Sequence, residues 1–183
     1  NVTTVETITL GDAATAVTTV DALVASGATL TVDGSGLASG QTLTWTGSAE
    51  TDGRFNITGG ADSDTIIGGA GNDSITAGAG ADSIVGGAND DTIVLAGNLT
   101  VADTIAGGTG ADTLTFTDAG GAVNELDNVT TVETITLGDA ATAVTTVDAL
   151  VASGATLTVD ATALTTGSST LTWTGSLEAD GKF

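Results

Sequence analysis

Residues 59–115 read, in register, GGADSDTII (59–67), GGAGNDSIT (68–76), AGAGADSIV (77–85), GGANDDTIV (86–94), LAGNLTVADTIA (95–106) and GGTGADTLT (107–115). Each unit ends in an aspartate, a small hydroxyl residue and a large aliphatic. The aspartates are Asp64, Asp73, Asp82, Asp91, Asp103 and Asp112, and the aliphatics are Ile66, Ile75, Ile84, Ile93, Ile105 and Leu114. Both series advance by nine residues, with one twelve-residue step across LAGNLTVADTIA. An α-helix cannot carry this pattern, because each interior glycine costs it about 1 kcal/mol. A short strand centred on the aliphatic and bounded by glycine turns fits it well.

The same unit suits a hard cation. Glycine reaches positive φ without steric penalty, so a loop rich in it curls until its carbonyl oxygens converge. Aspartate adds a carboxylate on a short arm. Calcium takes roughly 6–8 oxygen ligands at about 2.3–2.6 Å. One glycine loop with one aspartate supplies half such a shell, and a second loop stacked on it completes the shell. The ion would also cancel carboxylates that otherwise repel.

On these residues the chain resembles the RTX (repeats-in-toxin) family, whose nonapeptide is G-G-x-G-x-D-x-U-x. The resemblance covers residues 59–115. It implies a right-handed parallel β-roll in which two nonapeptides make one coil and calcium sits between a loop and the loop one coil onward. Carried onto this sequence, one column of loops holds Asp64, Asp82 and Asp103 and the other Asp73, Asp91 and Asp112. The implied ligand set adds Gly59, Gly60, Gly68, Gly69, Gly71, Gly78, Gly80, Gly86, Gly87, Asn89, Gly107, Gly108 and Gly110. The pairs Asp64/Asp82, Asp73/Asp91 and Asp91/Asp112 should each share an ion. The insertion around Asn98–Leu99 is expected to distort the loop that serves Asp82/Asp103. About four ions per unit are expected, with an affinity on the order of 10⁻⁴–10⁻³ M as in extracellular modules. Asp62 and Asn89 replace a third glycine and Ala77 a first one, which puts the loop of Ala77 in question.

Composition sets the outer limits. The chain has 183 residues, 23 acidic and 2 basic, with no His, Cys, Met, Pro or Tyr, for a formal net charge of −21. Nucleic acid is excluded as a partner, since phosphates need Lys and Arg, and anionic membrane surfaces are excluded likewise. Without His or Cys the usual acid–base and nucleophilic arrangements fail, so no enzyme is expected. Hydrophobic residues make up 40%, too many of them β-branched for a disordered chain. With no disulfide available, bound metal is the remaining staple.

A second, longer repeat frames the first. Residues 1–33 and 128–160 are identical, and TLTWTGSAETDGRF (42–55) returns as TLTWTGSLEADGKF (170–183). Trp45 thus matches Trp173, and Arg54 matches Lys182. The expected organisation is irregular β-solenoid coils over 1–58, the calcium roll over 59–115, then a linker and the start of the next repeat over 116–183, with 128–183 duplicating 1–55. Strand-type alternation marks TITL (7–10), TLTV (29–32), TLTW (42–45) and FNIT (55–58). TTVDALVASG (18–27), with Thr at an N-cap position and Gly at the end, predicts a short helix that recurs at 145–154. The fold expected is therefore all-β, a right-handed parallel β-roll or β-solenoid with short flanking helices. Glu6, Glu50, Glu133 and Glu178 lack metal-site spacing and read as surface or solenoid-edge charges. Asp62 and Asp90 read as solvated or outer carboxylates, and Trp45 and Trp173 as packed residues rather than sugar platforms.

The function these features favour is a calcium-dependent structural module of a secreted bacterial protein, self-assembling or arrayed in an S-layer, sheath or filament. Type I secretion is what the family resemblance implies, with folding on calcium after export. An extender or ligand-binding region of an adhesin, or the export and folding domain of a secreted enzyme, are the alternatives. The chain opens mid-pattern without a signal peptide, as a piece of a longer array would.

Overall fold

Strands form wherever hydroxyl and aliphatic residues alternate between glycine or aspartate turns, because β-branched side chains suit a pleated, half-buried surface. The computed structural model describes residues 5–117, 124–140, 142–147, 149–165, 167, 169–175 and 178–183. In chain order the strands are β1 (Thr7–Thr9), β2 (Thr15–Thr18), β3 (Thr29–Asp33), β4 (Leu43–Thr46), β5 (Arg54–Thr58), β6 (Thr65–Ile67), β7 (Ser74–Thr76) and β8 (Ser83–Ala88). They continue as β9 (Thr92–Ala96), β10 (Thr104–Thr109), β11 (Thr113–Phe116), β12 (Val129–Thr130), β13 (Thr134–Leu137), β14 (Thr142–Thr145), β15 (Thr158–Asp160) and β16 (Leu171–Thr174).

The odd strands from β1 to β15 form one eight-stranded sheet in chain order, and β2 to β12 form a six-stranded sheet, likewise in chain order. Every pairing is parallel and joins a strand to the one two places onward. Each coil therefore gives one strand to each sheet, as expected of a parallel β-roll. A third, two-stranded sheet joins β14 to β16.

Alternate residues of a strand face opposite ways, so the strands of the two larger sheets send apolar side chains between them. Parallel register then stacks them in ranks. Val32, Ile57, Ile75, Ile93, Leu114 and Ile135 lie opposite one another in the first sheet, all fully buried. Trp45, Ile66, Ile84, Ile105 and Val129 form the facing rank. Trp45 meets Phe55 edge to face at 5.3 Å. It is fully buried and so packs rather than offering a platform to a sugar.

The helix expected over 18–27 shrinks to a single 3-10 turn, Asp21–Leu23. Thr18 belongs to β2, and no side chain caps the turn. Val20 and Val24 on either side are extended, the conformation that β-branched residues favour. In the second copy Thr145 ends β14, and Asp148 lies outside the described residues. Residues 118–123 of the expected linker lie outside them too.

The two copies of the long repeat share one sheet. β13, from the second copy, pairs with β11 of the glycine-rich region through Thr113↔Thr134, Leu114↔Ile135, Thr115↔Thr136 and Phe116↔Leu137. Among the described residues, no helix is long and apolar enough to cross a membrane.

Candidate metal centre

The parity of the pleat decides where the repeat aspartates go. Each stands two residues before an inward aliphatic, so it points inward as well, and the hydroxyl residue between them faces solvent. Asp64, Asp73, Asp82, Asp91, Asp103 and Asp112 are accordingly 0–2% exposed. Six buried carboxylates are costly unless paired or bound to metal.

They form two ladders of hydrogen bonds along the solenoid. In one, the backbone N–H groups of Leu43, Asp64 and Asp82 donate to Oδ1 of Asp64, Asp82 and Asp103, at 2.6, 2.8 and 2.7 Å. In the other, those of Phe55, Asp73 and Asp91 donate to Oδ1 of Asp73, Asp91 and Asp112, at 2.7, 2.7 and 2.8 Å. The second ladder then takes one further rung. The N–H of Asp112 donates to Oε2 of Glu133 at 2.8 Å. Glu133 is thus no simple edge charge.

The other carboxylate oxygens turn toward the glycine loops. Oδ2 of Asp64 and Asp73 accepts from the N–H of Gly60 and Gly69, at 2.6 and 2.8 Å. Oδ2 of Asp91 and Asp112 is buried and has no hydrogen-bond partner. Each lies over the first glycine of its own loop, where a carbonyl from the next coil also arrives. A Cβ on Gly86 would stand 2.5 Å from both Asp91 Oδ2 and the Gly107 carbonyl oxygen. Gly68 has the same neighbours in Asp73 and Gly86, and Gly59 in Asp64 and Ala77. Glycine is required at these places because carboxylate and carbonyl oxygens crowd the side-chain position.

Ala77 stands at the first position of its loop. The first loop position has no positive φ, whereas Gly78 and Gly80 after it stand at 104° and 129°. Ala77 needs no positive φ there and is fully buried, with its carbonyl over Gly59. Asn89 takes the place of a third glycine at φ 71°, a region Asn tolerates. The insertion does change its loop. Thr100 N–H, rather than a glycine, donates to Asp103 Oδ2 at 2.7 Å, and Asn98 Nδ2 caps the Gly78 carbonyl at 2.6 Å. Asp82 and Asp103 remain joined, but without a glycine loop above them.

Burial dominates the electrostatics. Burial first, then repulsion from neighbouring carboxylates, pushes the Asp91 carboxyl up to about 7 and that of Asp82 up to about 6, against a backbone hydrogen bond that lowers each. Asp64, Asp73 and Asp112 are raised for the same first reason, with Glu133 adding repulsion at Asp112. No Lys or Arg is among the groups acting on these five. Orphaned carboxylate oxygens, convergent carbonyls and no soft ligand fit a hard cation such as calcium.

Residues 58–93 and 101–115 match the RTX calcium-binding nonapeptide repeat, in four copies. The chain carries RTX repeats. No curated protein and no solved structure matches it. The break in the RTX match falls on the insertion, where the glycine loop is replaced. RTX repeats bind calcium, and their family is typically structural.

Three acidic residues other than the six repeat aspartates bear on the fold instead. Glu50 is buried, contrary to its reading as an edge charge, and its carboxylate accepts from the N–H of Val24 (3.2 Å) and Gly53 (3.0 Å). Half-buried Glu178 accepts from Gly181 N–H at 2.9 Å. Asp90 is exposed and receives Ala111 N–H at 2.9 Å, so it ties one coil to the next. Glu6 alone of the four glutamates is exposed as expected.

Proposed function

We propose that this chain is a calcium-dependent structural module of a large secreted, tandem-repeat protein of a bacterial cell surface or extracellular assembly. One observation carries the reading: buried aspartates, two with an orphaned oxygen, converge with backbone carbonyls over glycines. Asp64, Asp73, Asp82, Asp91, Asp103 and Asp112 and the glycine-loop carbonyls would hold the ions, about four per unit. The ion supplies positive charge that links neighbouring coils and offsets carboxylate repulsion.

In a calcium-poor cytosol a chain of net charge −21 is expanded, a form suited to export through a narrow channel. Outside, binding free energy becomes folding free energy. The register that runs unbroken from the RTX roll into the second copy supports an extended array over a compact domain. Equilibrium dialysis against calcium at neutral pH tests the module reading, and a chain that binds no calcium would sink it. Electron microscopy of the native assembly tests the setting. An ordered lattice or filament that dissolves in EGTA is expected, whereas isolated flexible rods would favour an adhesin extender.

A further inference from the structure

The RTX column of Asp73, Asp91 and Asp112 does not end at the last glycine loop. We propose that the turn Thr131–Glu133, which follows β12 in the second copy of the long repeat, closes that loop and completes a calcium-type oxygen site at the junction between repeat units. Its ligands are the Asp112 carboxylate, the Thr131 carbonyl and the Glu133 carboxylate. The proposal rests on the calcium reading above and extends it to residues outside the nonapeptide motif.

Register places the turn. Ile105 lies opposite Val129 and Ala106 opposite Thr130, so Thr131 falls one coil beyond Gly107. A Cβ on Gly107 would collide with the Thr131 carbonyl oxygen and stand 2.6 Å from Asp112 Oδ2. That is the convergence seen over Gly86, with Thr131 in the role of Gly107. Asp112 is fully buried and its Oδ2 has no partner, so an acceptor oxygen is aimed at this point with nothing to accept from.

Glu133 completes the likeness. It receives the Asp112 N–H as Asp112 receives that of Asp91. The glycine loop needs five steps from Gly107 to Asp112, whereas the turn needs two from Thr131 to Glu133. The extra methylene of Glu compensates for part of the shorter backbone. Thr131 stands at φ 50°, unusual for a β-branched residue, and its Oγ1 accepts the Gly108 N–H at 3.0 Å.

The chain contains its own control. Glu6 occupies the same place in the first copy, but β1 is the end strand of its sheet and Glu6 is exposed. Calorimetric calcium titration of the whole chain would compare Glu133→Gln, Glu6→Gln and the parent. In Glu133→Gln, one ion should be lost, or one site weakened by at least the roughly 10–100-fold that an outer partner alone is worth. Glu6→Gln should match the parent.

Hydrogen exchange gives a second readout: calcium should slow the amides of 129–134 in the parent and not in Glu133→Gln. Retained protection over 65–94 would show that the variant folds. If that protection is lost, the milder Glu133→Asp decides on the same two readouts. Unchanged stoichiometry and affinity in a folded Glu133 variant, or equal effects at Glu6 and Glu133, overturn the junction site. A parent that binds no calcium overturns the module reading itself, and the two failures are thereby distinguishable.

Discussion

Residues 5–33 and 132–160 have one sequence and two environments. Val5 is 38% exposed while its counterpart Val132 is 5%, and half-buried Ile8 answers to fully buried Ile135. Glu6 is exposed, whereas Glu133 takes the N–H of Asp112. At the other end the contrast reverses: Trp45 and Phe55 are buried, while Trp173 is half-buried and Phe183 is 51% exposed. A coil of this solenoid is complete only when a neighbour stacks on each of its faces, as in other repeat architectures. The RTX coils meet that condition with metal-type loops beside their aliphatic ranks, and the long-repeat coils chiefly with aliphatic and aromatic ranks.

The comparison breaks most severely if the carboxylate ladder is cut. Replacing both Asp73 and Asp91 by Ala should remove at least one calcium ion and leave 65–94 unprotected in hydrogen exchange, and an unchanged calcium count would reject that pairing. Next in size, Ile135→Ala should cost about 2–5 kcal/mol as a buried truncation. The identical change at Ile8 should cost a clearly smaller amount. Denaturant midpoints in calcium would measure both, and equal costs would show that stacking on β11 does not matter.

Acidity acts in opposite directions on the free and the calcium-bound chain. Asp82 and Asp91 titrate near 6 and 7 in the fold, above an unfolded value of about 3.9. In the metal-free chain these groups contribute stability that is full below the unfolded value and is lost as pH rises through about 6 to 7. Acidification in EGTA should therefore strengthen the β signal. Protons and calcium compete for the same oxygens, so the calcium midpoint should rise as pH falls through that range. A smaller effect should come from Trp45→Phe, which keeps a ring against Phe55 and leaves a small cavity, costing about 1–2 kcal/mol in the same denaturant midpoints. Its indole N–H has no partner to lose.

The legible part of the fold was the part with strict spacing. Glycine loops every nine residues and an aspartate two before each aliphatic place the strands and, through pleat parity, the six buried carboxylates. The 3-10 turn at Asp21–Leu23 was not legible, because a capping pattern does not reveal that Val20 and Val24 stay extended. Glu50 was missed since nothing local marks its two backbone partners, one of them 26 residues away. Glu133 left a faint trace: it follows Asp112 by 21 residues, the step that separates Asp91 from Asp112 and Asp82 from Asp103. Without glycine in its turn, and with Glu for Asp, the motif did not reach it.

The most direct test of calcium as the staple of this solenoid is far-UV circular dichroism of the chain at neutral pH, titrated with calcium from excess EGTA. The account predicts weak β signal in EGTA and a cooperative rise as calcium reaches the order of 10⁻⁴–10⁻³ M. Full β signal in excess EGTA, unchanged on adding calcium, would contradict it.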